Sequence, residues 1–168
     1  MKSKILLFFL IVFTISIYAQ EYENGTIVTT HYDTIINVKI KKINDAKSLL
    51  HLTYIDQNGD EQTPKIETIK HYKRGNDIFC RIYNSGEMIL AKKVVQGKKL
   101  NLYERYPNGG KTYYVEKVYD ELIKVPSSSK KFKKVLGSFL KDAPKISTQI
   151  ISKDLDDIFK IVNLYNQS

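Results

Sequence analysis

The sequence carries one cysteine and no tryptophan in 168 residues. A lone thiol cannot close an internal disulfide, and it excludes the Cys-based zinc ribbons and iron–sulfur clusters that need several thiolates. The disulfide-scaffold class falls with them. There is no Gly-rich phosphate loop and no βαβ spacing, so nothing supports a doubly wound nucleotide-binding fold. Long apolar runs are absent after residue 17. What is present is 42% hydrophobic residues, 12 Tyr and 7 Phe, with 27 Lys plus Arg set against 18 Asp plus Glu. This is the composition of a folded, basic globular chain rather than a disordered one. At about 150 residues a compact chain buries roughly 68–70% of its unfolded surface, enough for a core without metal or disulfide.

The first residues read as an address. Lys2 and Lys4 precede the apolar run Ile5 to Ile17, and Tyr18-Ala19-Gln20 supplies a small residue for cleavage. This is the layout of a secretory signal peptide, with an apolar stretch short for a transmembrane span. Cleavage is expected between Ala19 and Gln20, leaving no transmembrane span. Removing Lys2 and Lys4 takes the 27 basic residues to 25 against 18 acidic, so the exported chain stays near +7. The expected organisation is a signal peptide over 1–19, a β-rich domain over 20–125 and a helical segment over 126–168 packed on that domain.

From Gly25 to Val125 apolar residues alternate. Ile36, Val38 and Ile40 are expected to share one face, as are Leu50, Leu52 and Tyr54. Asn58-Gly59, Asn84-Ser85-Gly86 and Asn108-Gly109-Gly110 supply hairpin chemistry, because Asn and Gly accept the positive φ of tight turns. The implied pairs are 49–56 with 62–69, 78–83 with 87–95, and 100–106 with 111–119. The expected fold class is α+β: an antiparallel β-meander of seven to nine strands forming a bent sheet or small barrel, followed by two or three C-terminal helices.

After Pro126 the period changes. Phe132, Val135, Leu136, Phe139 and Leu140 form one helical stripe, with Ser127 to Ser129 offering an N-cap. Burying five such side chains stabilises by about 8–15 kcal/mol gross, so this helix should dock on the sheet. A short helix carrying Ile146 and Ile150 follows Pro144. Ser152 is expected to cap a last helix holding Leu155, Ile158, Val162 and Tyr165, with Asp154, Asp156 and Asp157 in its first turn.

Candidate sites are few. Cys80 alternates with Ile78 and Ile82 and reads as a buried thiol. His31, His51 and His71 lie one per expected strand, without zinc-ligand spacing. Asp56, Asn58, Asp60 and Glu67 fall at calcium-loop positions 1, 3, 5 and 12. Glu61 stands where glycine is obligatory, however, and the flanks read as strands. No catalytic residue, metal site or cofactor is expected. The weak binding candidates are Lys92, Lys93, Lys98, Lys99, Tyr103, Arg105 and Tyr106, with Lys111, Tyr113 and Tyr114 nearby. That mixture suits an anionic polymer, but a solvated surface whose lysines discourage sheet-edge aggregation is the favoured reading of it.

Four strings carry a resemblance: Gly97 to Glu104, Tyr113 to Lys117, Phe139 to Pro144, and Ile161 to Asn166. Together with Asp33-Thr34-Ile35 they are similar, in order, to a family of signal-peptide-bearing envelope proteins of Gram-negative bacteria. That family has no established activity, and some of its members continue into an outer-membrane β-barrel. Members carry Cys where this chain has Ala143, and a second Cys where it has Gln167-Ser168, so the resemblance implies no terminal disulfide here. The sequence ends where barrel-bearing members would continue.

These readings lead to an exported protein, periplasmic, outer-envelope associated or secreted. The expected role is a non-enzymatic binding or scaffolding module for an envelope protein or anionic polymer, with no intracellular nucleic acid as partner. The alternatives are a hydrolase of envelope polymers and an adhesin using the Lys/Tyr face.

Overall fold

The computed structural model describes residues 21–118 and 120–168, so the signal segment and the Ala19–Gln20 cleavage point lie outside the described residues. Ten strands follow one another in the order β10-β9-β8-β7-β6-β5-β1-β2-β3-β4. The sheet is antiparallel and open, with β10 and β4 at its edges. The expected meander is therefore present with ten strands rather than seven to nine, and the barrel alternative is corrected. Three C-terminal helices complete the α+β fold. The chain divides into two compact units, ending and beginning at Ile78 and Phe79.

The first unit contains β1 (Tyr22–Thr29), β2 (Thr34–Lys41), the short helix α1 (Asp45–Ser48), β3 (Tyr54–Ile55), β4 (Glu61–Gln62) and β5 (Ile69–Arg74). Ile27, Val38, Ile40, Leu52, Ile69 and Tyr72 are its buried apolar residues. Ile36 departs from the expected alternation and is exposed. The register along β1 and β2 runs from Gly25 opposite Val38 to Ile27 opposite Ile35, so Ile36 and Asn37 together face Thr26 alone. Asn37 takes a φ of 55°. This is a β-bulge with a left-handed residue, and one extra residue reverses the facing of everything before it.

Leu50 is also exposed, where an inward position was expected. The strand expected over 49–56 is confined to Tyr54–Ile55, and residues 45–48 ahead of it form a helical turn in which the Asn44 side chain accepts the Lys47 N–H as an N-cap. Leu49 is thereby turned inward in place of Leu50. Arg74 is buried beneath this turn. Its guanidinium donates to the Ile43 carbonyl at 3.1 Å and Ser48 Oγ at 2.9 Å, and lies 3.5 Å from Asp45, 3.3 Å from Asp77 and 3.9 Å from Glu23.

The second unit is built on β7 (Glu87–Val95), β8 (Leu100–Arg105), β9 (Thr112–Lys117) and β10 (Leu122–Lys124), with β6 (Asp77–Asn84) beginning just before it. The β6–β7 turn uses Ser85 and Gly86, and the β8–β9 connection uses Asn108 and Gly109, all at positive φ. That is the backbone twist which tight hairpins demand. The helices are α2 (Ser129–Phe139), α3 (Pro144–Ser152) and α4 (Ile158–Gln167). Leu136, Phe139 and Leu140 of the expected stripe join Ile146, Ile150, Ile158, Ile161, Val162 and Tyr165 against Leu100, Leu102 and Val115. The helices therefore dock on β8 and β9, as their apolar stripe requires.

Ser152 does not cap the last helix. It closes α3, Lys153 follows at a left-handed φ of 79°, and Asp157 is the cap, accepting the Phe159 and Lys160 N–H groups. Asp154, Leu155 and Asp156 thus lie between helices, with Leu155 buried.

The strings that carry the resemblance meet in space. Asn166 at the end of α4 accepts the N–H groups of Lys99 (3.0 Å) and Leu100 (2.9 Å), and donates to the Leu100 and Val162 carbonyls, both at 2.9 Å. A Cβ on Gly97 would collide with that carboxamide and with the Leu100 carbonyl. Tyr165 donates to Asp142, which also pairs with Lys117 at 2.9 Å.

Candidate functional site

The sequence candidates divide between surfaces. Lys92 and Lys93 are adjacent on β7 and point to opposite faces, Lys92 opposite Glu104 and Lys93 opposite Tyr103. Lys93 Nζ sits 5.5 Å from the Tyr103 ring centre and Lys92 Nζ 5.9 Å from that of Phe79. Tyr103 is 3% exposed and Tyr114 4%. The two pair across β8 and β9 and pack with Ile82, Ala91 and half-buried Cys80. Neither ring is offered to an external ligand, which corrects the expectation of a Tyr103-bearing surface. Burial pushes the Tyr103 hydroxyl up, and its hydrogen bond to Glu116 adds to that.

Lys98 and Lys99 are exposed in the β7–β8 connection, with the Lys99 ammonium on the Ser168 carbonyl. The Arg105 Nε is buried without a hydrogen-bond partner among the described residues. Tyr106 donates to Glu104, which also holds Lys111 at 2.9 Å. Desolvation raises the Glu104 carboxyl, but the Tyr106 hydroxyl and the Lys111 ammonium outweigh it and keep that carboxyl below the usual carboxylate range.

The other chemical candidates resolve into structure. Burial pushes the Cys80 thiol up to about 11, which suppresses the nucleophilic thiolate. His31 sits in the turn after β1 and His51 in the segment after α1, leaving only His71 on a strand. The Thr29–Asp33 turn and the α1 cap displace the other two from the expected strands. Asp56 Oδ1 accepts the Asn58 and Asp60 N–H groups at 2.9 and 3.0 Å, closing the β3–β4 turn. Those backbone bonds, Asp60's the largest, lower the Asp56 carboxyl. Among the described residues no three His, Cys, Asp or Glu side chains converge as metal ligands.

A concavity lies elsewhere, between the start of β9, the chain leaving β10, and the first turn of α2. It holds about 630 Å³ and is lined by Lys111, Thr112, Tyr113, Lys124, Val125, Pro126, Ser127, Ser128, Lys131, Phe132, Asp156 and Ile158. An adjoining hollow adds Lys133 and Lys153, and a third adds Lys130. Tyr113 and Phe159 meet edge to face at 5.5 Å beside it. The Ser128 side chain makes no cap bond to α2, so the helix opens toward the cleft with free N–H groups and a positive dipole end. Lys124, Lys130, Lys131, Lys133 and Lys153 have no acidic partner among the described residues, and Asp156 is the one carboxylate in the lining.

No family model matches the chain, no curated protein is similar to it, and no solved structure matches it. The reading of the cleft therefore stands on its own chemistry. It can attract and hold negative charge over an apolar floor of Tyr113, Phe132 and Ile158. Of its residues, only Lys111 and Tyr113 belonged to the neighbourhood singled out from sequence. The signal that points to the rest is local lysine density, with Lys124, Lys130, Lys131, Lys133 and Lys134 bracketing Ser127 to Ser129.

Proposed function

We propose that the protein is an exported cell-envelope module that binds an anionic polymer without catalysing a reaction on it, and that the cleft at the start of α2 is where it binds. The observation that carries this reading is the group of lysines without an acidic partner among the described residues, Lys124 and Lys131 in the cleft with Lys130, Lys133 and Lys153 beside it, while Lys111 is paired with Glu104 and Asp156 is the one carboxylate in the lining. The signal-peptide layout and the resemblance to envelope proteins support the location, and lipopolysaccharide is the polymer that location favours. A hydrolase would need paired carboxylates or a nucleophile with its base. The cleft lining supplies neither His nor Cys and only one acid.

The test is retention of the protein on immobilised lipopolysaccharide across a salt series, for wild type and for a Lys124→Gln/Lys131→Gln double variant. Binding by counterion release weakens steeply with salt, and each lost phosphate contact makes the log–log slope shallower, by about 0.7 to 0.9 where the polyanion is a nucleic acid. The double variant should bind more weakly with a slope shallower by one to two such steps, while Lys98→Gln/Lys99→Gln should match wild type. Salt-independent retention, or an unchanged double variant, refutes the proposal.

A further inference from the structure

A second concave surface lies wholly in the first unit, on the outer face of β5, β1 and β2, and encloses about 530 Å³. It is lined by Asn24, Thr26, Asn37, Lys39, Lys73 and Asn76, with the backbone of Gly25 and Gly75. The registers explain why these side chains share a face: Asn24 stands opposite Lys39, and Thr26 opposite Lys73. The β-bulge supplies the concavity by bending β2 at Asn37 and aiming that residue outward. None of the six side chains bonds to another described residue, and none of the lining residues is acidic or aromatic.

We infer that this groove is a binding site for an acidic oligosaccharide. Each carboxamide presents a donor and an acceptor side by side, which is what neighbouring sugar hydroxyls require, and the threonine hydroxyl can do either. The lysines lie on β2 and β5 with β1 between them and are offset by two residues along it, so their backbones stand about 12 Å apart. That separation suits charges carried along an extended ligand rather than one phosphate held between two ammonium groups. Nucleic acid would need rings for base stacking, which this groove does not offer. The inference is independent of the α2 cleft, since no residue is common to the two linings.

The experiment is a residue-resolved NMR titration of the protein recovered from the envelope after expression with its own leader. The probes are a galacturonic acid trisaccharide, maltotriose and inorganic phosphate. The expected result is that the uronate trisaccharide shifts the side-chain amides of Asn24, Asn37 and Asn76, and that binding weakens at least fivefold in Lys39→Gln/Lys73→Gln. Asn37→Gly keeps the left-handed backbone while removing the carboxamide. It should lose binding to a similar degree with an unchanged backbone spectrum elsewhere. The inference is overturned if the uronate leaves those amides unmoved, if maltotriose or phosphate moves them equally, or if Asn37→Gly binds as wild type.

Discussion

Replacing Asn166 by alanine removes one carboxamide that completes two segments 66 residues apart. Its oxygen serves the N–H groups of Lys99 and Leu100, and its nitrogen serves the Leu100 and Val162 carbonyls. Leu100 is fully buried, so its N–H and C=O have poor access to replacement water. A typical bond contributes about 0.5–1.5 kcal/mol net, and a buried group left unpaired costs about 1–3 kcal/mol. The Lys99 amide is exposed and can turn to solvent. The expected loss is therefore about 2–4 kcal/mol, or roughly two orders of magnitude in the folded-to-unfolded ratio. Urea unfolding followed by circular dichroism measures it. Gly97→Ala should destabilise too, because its new methyl collides with the same carboxamide. In the Asn166→Ala background part of that collision is gone, so the double-mutant cycle should show a coupling of about 1 kcal/mol or more. A loss below about 0.5 kcal/mol for Asn166→Ala, or strict additivity in the cycle, refutes the account.

Two further outcomes follow from titrating groups. The Glu104 carboxyl is held below its unfolded value, so its contribution to stability is complete above about pH 4.3 and is lost as pH falls through the folded value. Urea midpoints of Glu104→Gln should therefore decline less than wild type between about pH 5 and pH 2.5, and parallel declines would contradict this. Burial raises the Cys80 thiol to about 11, so at about pH 8 only roughly one molecule in a thousand carries the thiolate. Reaction with an aromatic disulfide reagent should be slow in the native protein and fast in urea. Equal rates would show that the thiol is not packed.

Much of the second unit was legible because its signals are local. The positive-φ turn residues and period-two alternation predict the β6–β7 and β8–β9 hairpins, and the 3.6-residue stripe predicts α2. The first unit was harder for physical reasons. The bulge at Asn37 reversed the facing of Ile36, and no composition signal marks an extra residue in an otherwise alternating strand. The Asn44 cap starts a helical turn at 45–48 that carries Leu49 inward and Leu50 outward, against the alternation of Leu50, Leu52 and Tyr54 just after it. The tyrosines next to the candidate lysines were visible, but which face of β8 each occupies depends on what covers that face. Tyr103 went inward with Cys80. The lysines that do converge come from the start of β9, the end of β10, the start of α2 and the α3–α4 link, a juxtaposition that only the packed helices create.

Arg74 shows what such long-range placement does to the order of assembly. Its guanidinium reaches Ile43 and Ser48 across 31 and 26 residues, and one side chain serves a carbonyl, a hydroxyl and three carboxylates. Closing that loop costs chain entropy before any of the contacts forms, so they arrive together rather than one at a time. A four-residue helix has no capacity to persist by itself. The α1 turn therefore exists only while β5 holds Arg74 beneath it, and the two should open and close as one unit.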